Sequence, residues 1–239
     1  MLLGYIYSFA KLAAAIVLGL EVYIRFPFIG NVMPIALANS TKGQVHVLFH
    51  GFGGQDANTD RIVNNLNVDS CKDEIALSYD WIKYRGNILR AAANGMSVGR
   101  KLGRQLAEET EISSLHCIGI SVGSFAADAC VSEFNKRRKK PTRLTLLCPF
   151  QQRGLFGVNY GKNNFGKRAD LCEQYYISDD PVPGCSKPLV HAHAIDITNV
   201  PERKQFLPLP GDSIHAFPAD YYGRVIVPSL RKSGLASLK

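Results

Sequence analysis

No Cys-x-x-Cys pair occurs in the 239 residues, so the chain lacks the paired thiolates of a structural zinc site. Six cysteines at this length are also too sparse for a disulfide scaffold. There is no internal repeat and no low-complexity tract, which excludes a solenoid and a compositionally disordered chain. No segment interleaves basic residues with stacking aromatics, so the formal net charge of +8 does not read as a nucleic-acid surface. A basic balance still favours anionic surfaces, membranes among them. What remains is an ordinary globular composition, 46% hydrophobic and 20% charged, in a length that suits one sizeable domain.

Among the cysteines, Cys117 lies in an apolar strand-like run and Cys130 on a helix face expected to be buried, where a free thiol behaves as a small hydrophobe. Only Cys172 and Cys185 have the look of a bridge, because they bracket a turn-rich segment. Residues 1–38 stand apart. They are mostly apolar and carry three charges, Lys11, Glu21 and Arg25. Leu12–Leu20 has the length of a signal-peptide core, and Ala36-Leu37-Ala38 has the small-x-small form of a cleavage site. A signal anchor or an interfacial helix is the rival, although Lys11 and Glu21 cut the uncharged run to about half a membrane span. Secretion or membrane association is the expectation, ahead of a cytoplasmic location, with residues 39–239 forming the domain. Removing those three charges leaves +7, so the basic character belongs to the domain.

After Ser40, short apolar runs alternate with longer helical ones. The strands expected are Val45–Phe49, Glu74–Tyr79, Leu115–Ile120, Arg143–Leu147, Gln174–Ser178 and Ala192–Thr198; the helices are Ala57–Leu66, Ala91–Thr110, Val122–Lys136 and Ala219–Leu230. This βαβα order predicts an α/β domain with a mostly parallel sheet and helices on both faces. Functional residues then collect on loops leaving the carboxyl ends of strands.

Gly119-Ile120-Ser121-Val122-Gly123 directly follows one such strand and precedes a run of small residues, Ser124, Ala126, Ala127 and Ala129. A sharp strand-to-helix turn lifts a serine hydroxyl above the sheet edge and aims helix-start N–H groups at a developing oxyanion. Gly95-Met96-Ser97-Val98-Gly99 has the same form, but no strand leads into it; Ser97 reads as an ordinary helix serine. Strand Val45–Phe49 runs into His50-Gly51-Phe52-Gly53-Gly54, whose free N–H groups suggest an oxyanion hole formed by Phe52 and Val122. His50 itself reads as a residue that bonds and shapes its own loop.

These segments resemble the neutral lipases, pancreatic-type and fungal-type. The resemblance rests on His50-Gly51-Phe52, on Ser78-Tyr79-Asp80-Trp81 with Arg85, Asn87 and Val98-Gly99, and on the elbow Leu115–Ser124, where Ile120 replaces the usual histidine. It spans roughly residues 45–225 and implies the α/β-hydrolase fold and a Ser-His-Asp triad. In the pancreatic type the acid directly follows the strand after the elbow strand; Cys148 occupies that place here. In the fungal type it comes one strand later in Asp-x-Val-Pro, which matches Asp180-Pro181-Val182-Pro183 and assigns Asp180, with Asp179 as the alternative acid. In the order Ser…Asp…His the base follows the acid, leaving His191, His193 and His215. His191 and His193 form an H-x-H pair with no third metal ligand at sensible spacing. His215, in the loop Gly211–Ala216 before Tyr221-Tyr222, resembles the lipase histidine segment.

The function expected is a serine carboxylic ester hydrolase acting on acyl esters or lipids, with no cofactor and no metal. Small-ester esterase, phospholipase and thioesterase activities stay open, as does a catalytically silent binding module. Phe150–Lys167 reads either as a lid or as an irregular connection. The basic run Lys136–Lys140 reads as a solvated helix end, about 20 Å from Ser121 along its helix.

Overall fold

A computed structural model describes residues 2–37 (2–4 by backbone alone), 43–67, 74–208 and 213–233. Cys71, Ala38 of the small-x-small motif and Gly211-Asp212 of the histidine loop lie outside the described residues. The elements run α1 (Leu2–Arg25), β1 (Gly43–Phe49), α2 (Ala57–Asn67), β2 (Glu74–Tyr79), α3 (Ala91–Glu108), β3 (Ile112–Ile120), α4 (Ser124–Arg137), β4 (Thr142–Leu147), α5 (Tyr160–Asn164), β5 (Leu171–Tyr176), β6 (His193–Asp196), α6 (Phe217–Tyr221) and α7 (Val227–Lys232).

Six strands form one all-parallel sheet in the order β2-β1-β3-β4-β5-β6. The near-continuous hydrophobic runs follow from burial on both faces. Along β1, Val45, Val47 and Phe49 enter the core under α3 and α4, beside Leu102, Phe125 and Phe134. Leu48 points to the other face, with Ile62, Phe217 and Tyr222 from the helices packed there. A period of two thus builds two cores from one strand.

Two strands end differently from the expectation. β5 begins at Leu171, taking in polar Glu173, because Arg143 on β4 meets that carboxylate at 2.6 Å. β6 stops at Asp196, whose Oδ1 accepts the Thr198 N–H at 2.9 Å and turns the chain. The closing helical segment starts at Phe217 and passes through a π turn, Tyr222–Ile226, before α7.

The packed body also reaches back before residue 39. Ile35 is in the core, its N–H and C=O both bonded by the Gln105 amide at 2.9 Å. The Tyr79 hydroxyl donates to the Met33 carbonyl at 2.7 Å, and the Met33 N–H donates to the Tyr84 oxygen at 2.8 Å. Residues 26–37 have no regular secondary structure and lie as a strap across the domain.

Candidate active site

β3 ends at Ile120, and Ser121–Gly123 form a 3-10 turn that becomes α4. Ser121 sits at φ +53, one of two non-glycine residues with positive φ among those described. Both glycines of the motif are forced by close approach. A Cβ at Gly123 would lie 2.3 Å from the Phe49 carbonyl oxygen, and one at Gly119 would lie 2.7 Å from the Ser124 Cα. The turn can be this sharp only because nothing projects from either position.

Ser121, His215 and Asp180 come from three separate loops and form one hydrogen-bond chain. His215 Nε2 is 2.9 Å from Ser121 Oγ, and His215 Nδ1 is 2.7 Å from Asp180 Oδ2. A carboxylate only accepts, so Nδ1 carries the proton toward Asp180 and the serine hydroxyl donates to Nε2. The Asp180 side chain is fully buried, and its other oxygen accepts the Val182 N–H at 2.8 Å. That bond comes from the turn made by Pro181-Val182-Pro183 and orients the carboxylate. His215 lies in a short 3-10 turn capped by Ser213, which accepts the His215 N–H at 3.3 Å. Asp179, the alternative acid, points elsewhere: it is exposed and pairs with Arg203 at 2.7 Å, a contact that holds its carboxyl below the usual range.

Phe52 lies in the Gly51–Gly54 turn after β1, and Val122 follows Ser121 in the 3-10 turn. A Cβ at Gly51 would be 3.5 Å from the Ser121 Cβ, which places this loop directly against the serine. No protein acceptor is bonded to the Phe52 N–H among the described residues. His50 is fully buried and donates from Nδ1 to its neighbour, the Gly51 carbonyl, at 2.8 Å. Its Nε2 accepts the Trp81 N–H at 3.2 Å, while the Trp81 indole donates to the His50 carbonyl at 2.9 Å. His50 therefore shapes the loop, as its residues suggested.

Cys148, the other strained residue at φ +42, packs beside this chain of bonds. Its Sγ, an Asp180 oxygen and a His215 nitrogen lie within 4.8 Å of one another, the one trio of potential metal ligands among the described residues. Both His215 nitrogens are already engaged, so a metal there would break the bonds to Ser121 and Asp180. Burial pushes the Cys148 thiol well above its ordinary value, so it stays protonated and is no rival to the serine hydroxyl. Its closeness to the histidine was not read from sequence.

The bridge between Cys172 and Cys185 is absent: both are buried free thiols. Cys172 is near the amino end of β5, against Gly166, whereas Cys185 lies past the carboxyl end near Asp180. They bracket the segment in sequence but face different edges of the sheet. His191 is exposed and His193, also exposed, opens β6 at the edge opposite Ser121. Phe150–Lys167 is an anchored connection more than a free flap: Phe150 donates to the Ser121 carbonyl at 3.1 Å and Phe165 is buried, leaving Phe156 and Val158 exposed. The basic run is also as read, with Arg137 bonded to Glu133 at 2.7 Å at the end of α4.

Compared with known proteins, the chain matches no protein-family model and no curated protein.

Proposed function

We propose that this protein is a serine carboxylic ester hydrolase acting on acyl lipids. The observation that carries the reading is the unbroken chain Ser121 Oγ–His215–Asp180, at 2.9 and 2.7 Å, at the carboxyl edge of a parallel sheet. Chain order Ser…Asp…His and the strained turn under Ser121 support the α/β-hydrolase fold in particular, and with it the resemblance to neutral lipases. Exposed Ile82, Leu155 and Phe156, on loops that leave the same sheet edge, favour acyl groups over polar substrates.

In this reading His215 Nε2 takes the hydroxyl proton as Ser121 attacks the ester carbonyl. The N–H groups of Phe52 and Val122 hold the oxyanion; each such donor is typically worth about 3 kcal/mol in the transition state. Asp180 keeps the imidazole in the productive tautomer and stabilises the imidazolium. His215 returns the proton to the leaving alcohol, and water activated by the same imidazole cleaves the acyl-enzyme. No step passes through a cofactor.

A fluorophosphonate probe tests the proposal directly. Wild-type protein and the Ser97→Ala variant should be labelled, with the adduct mapping to Ser121, and Ser121→Ala should not. An unlabelled wild type with its fold intact would return the chain to the silent binding-module class. Rates on p-nitrophenyl esters of increasing chain length then separate lipase-like from small-ester activity.

A further inference from the structure

The last turn of α1 differs from the rest of the helix. Tyr5, Phe9, Leu12, Ile16 and Leu18 are exposed along its length, whereas Glu21 and Ile24 are buried against the domain. The helical residues ahead of that docked turn, Leu2–Leu20, span about 28 Å, close to a hydrocarbon layer of about 30 Å. The two charges that cut the apolar run in sequence are both accommodated. Lys11 turns back over the Tyr7 ring, its Nζ 4.3 Å from the centroid, one helical turn nearer the chain start. The ammonium is thereby drawn about one turn towards the end of the helix that lies away from the domain. Glu21 leaves the apolar face altogether: its carboxylate pairs with Arg25 and accepts the Leu155 N–H at 2.5 Å. Gly154 makes room for it, at φ +74, where a Cβ would fall 2.5 Å from a Glu21 oxygen.

The foot of α1 thereby grips the loops that rim the Ser121 site. Leu155 is in the loop leaving β4, the same loop whose Phe150 bonds Ser121. On the other side, Asn87 donates to the Tyr23 hydroxyl at 2.6 Å, and the Arg90 guanidinium lies over the Tyr23 and Phe28 rings at 4.6 and 5.1 Å. This second loop leaves β2 and also places Arg85 over Phe52 at 4.1 Å. Around the foot, Phe26, Phe28, Ile88, Leu89 and Phe156 are exposed. Cleavage after Ala38 would remove the strap that Tyr79, Tyr84, Asn94 and Gln105 hold.

We propose that residues 1–37 are a retained, bilayer-spanning anchor whose foot, locked by Glu21 into the loop after β4, holds the Ser121 edge of the sheet against the lipid surface. The occupant of the exposed apolar faces is the bilayer itself.

The test uses the full chain, isolated from membranes and reconstituted in phosphatidylcholine vesicles with brominated acyl chains. Its intact mass should include the strap; a chain trimmed near Ala38 overturns the retained anchor. Tryptophans are introduced singly as Ile88→Trp and Phe156→Trp on the rim and Lys139→Trp at the opposite edge, over the background of fully buried Trp81. The bromines should remove most of the added fluorescence at 88 and 156 and none at 139. Unquenched signals at 88 and 156 in vesicle-bound protein overturn the orientation. Neither readout needs catalysis, so both stand if the hydrolase reading fails. An activity arm rests on that reading: Gly154→Val and Glu21→Gln should each lower hydrolysis of a long-chain ester in vesicles about tenfold, leaving a soluble short-chain ester unchanged. Equal rates of the two variants and wild type on the vesicle ester would remove the orienting role of the lock.

Discussion

The chain contains the pattern Gly-x-Ser-x-Gly twice, and the two copies meet across the same helix. In Gly119–Gly123 the glycines let β3 reverse into α4 so tightly that Ser121 is driven to φ +53 and stands proud of the turn. In Gly95–Gly99 they lie inside α3, and Gly99 lets α3 close onto the backbone of α4, where a Cβ would fall 2.1 Å from the Ala126 carbonyl oxygen. Ser97, on that helix, is only partly exposed and bonds nothing in the triad. The same five letters serve a strained turn in one place and helix packing in the other. What separates them is the strand before the first copy, because only a strand entering at full extension forces the serine into strained backbone.

The comparison can be broken at several depths. The largest effect should follow Ser121→Ala, which is expected to lower kcat by about 10⁶-fold without loss of fold, read by ester hydrolysis beside circular dichroism. Asp180→Asn should cost about 10⁴-fold by disturbing the imidazole tautomer, whereas Asp179→Asn, which loses only an exposed pair with Arg203, should leave the rate nearly unchanged. Gly99→Ala should leave the triad in place but lower stability by about 3 kcal/mol, seen as a reduced denaturant midpoint, because two helix backbones must part.

A pH-dependent effect of similar size tests α4, the helix that both copies share. Burial holds the Asp128 carboxyl up at about 7 against an ordinary 3.8, despite the Gly166 N–H at 2.9 Å and the nearby Arg168. The unfolded chain ionises this group near the ordinary value while the folded chain keeps it protonated, so its contribution to stability falls as pH rises from about 4 to about 7. Asp128→Asn should therefore be more stable than wild type by up to about 4 kcal/mol at pH 8, with the gain vanishing near pH 4 in thermal unfolding. The smallest effect belongs to Ser97→Ala, which should change stability by less than about 0.5 kcal/mol and activity not at all. A fall in hydrolysis with Ser97→Ala would erase the distinction between the two copies.

Several elements were legible because their cause is local. β2 has the bounds that its apolar run predicts, and Ser121 was separable from Ser97 by the strand in front of it. Asp180 was harder, since Asp179 adjoins it and both follow β5; the decision lies in the Val182 N–H and in Arg203, which comes from 24 residues further on. The Cys172–Cys185 expectation failed because bracketing in sequence says nothing about which edge of a sheet each thiol faces. Glu21, read as a charge interrupting an apolar run, became a buried contact through a loop 134 residues away.

By itself, then, the amino-acid sequence determined the alternation of strands and helices, the parallel sheet and the turn that presents Ser121, since these follow from periodicities and steric limits within a few residues. Tertiary structure alone decided which carboxylate meets His215, that Cys148 lies beside that pair and that α1 is fastened to the rim of the site. Each of those depends on groups brought together from loops far apart in the chain, where burial and hydrogen-bond geometry, not local propensity, select the partner.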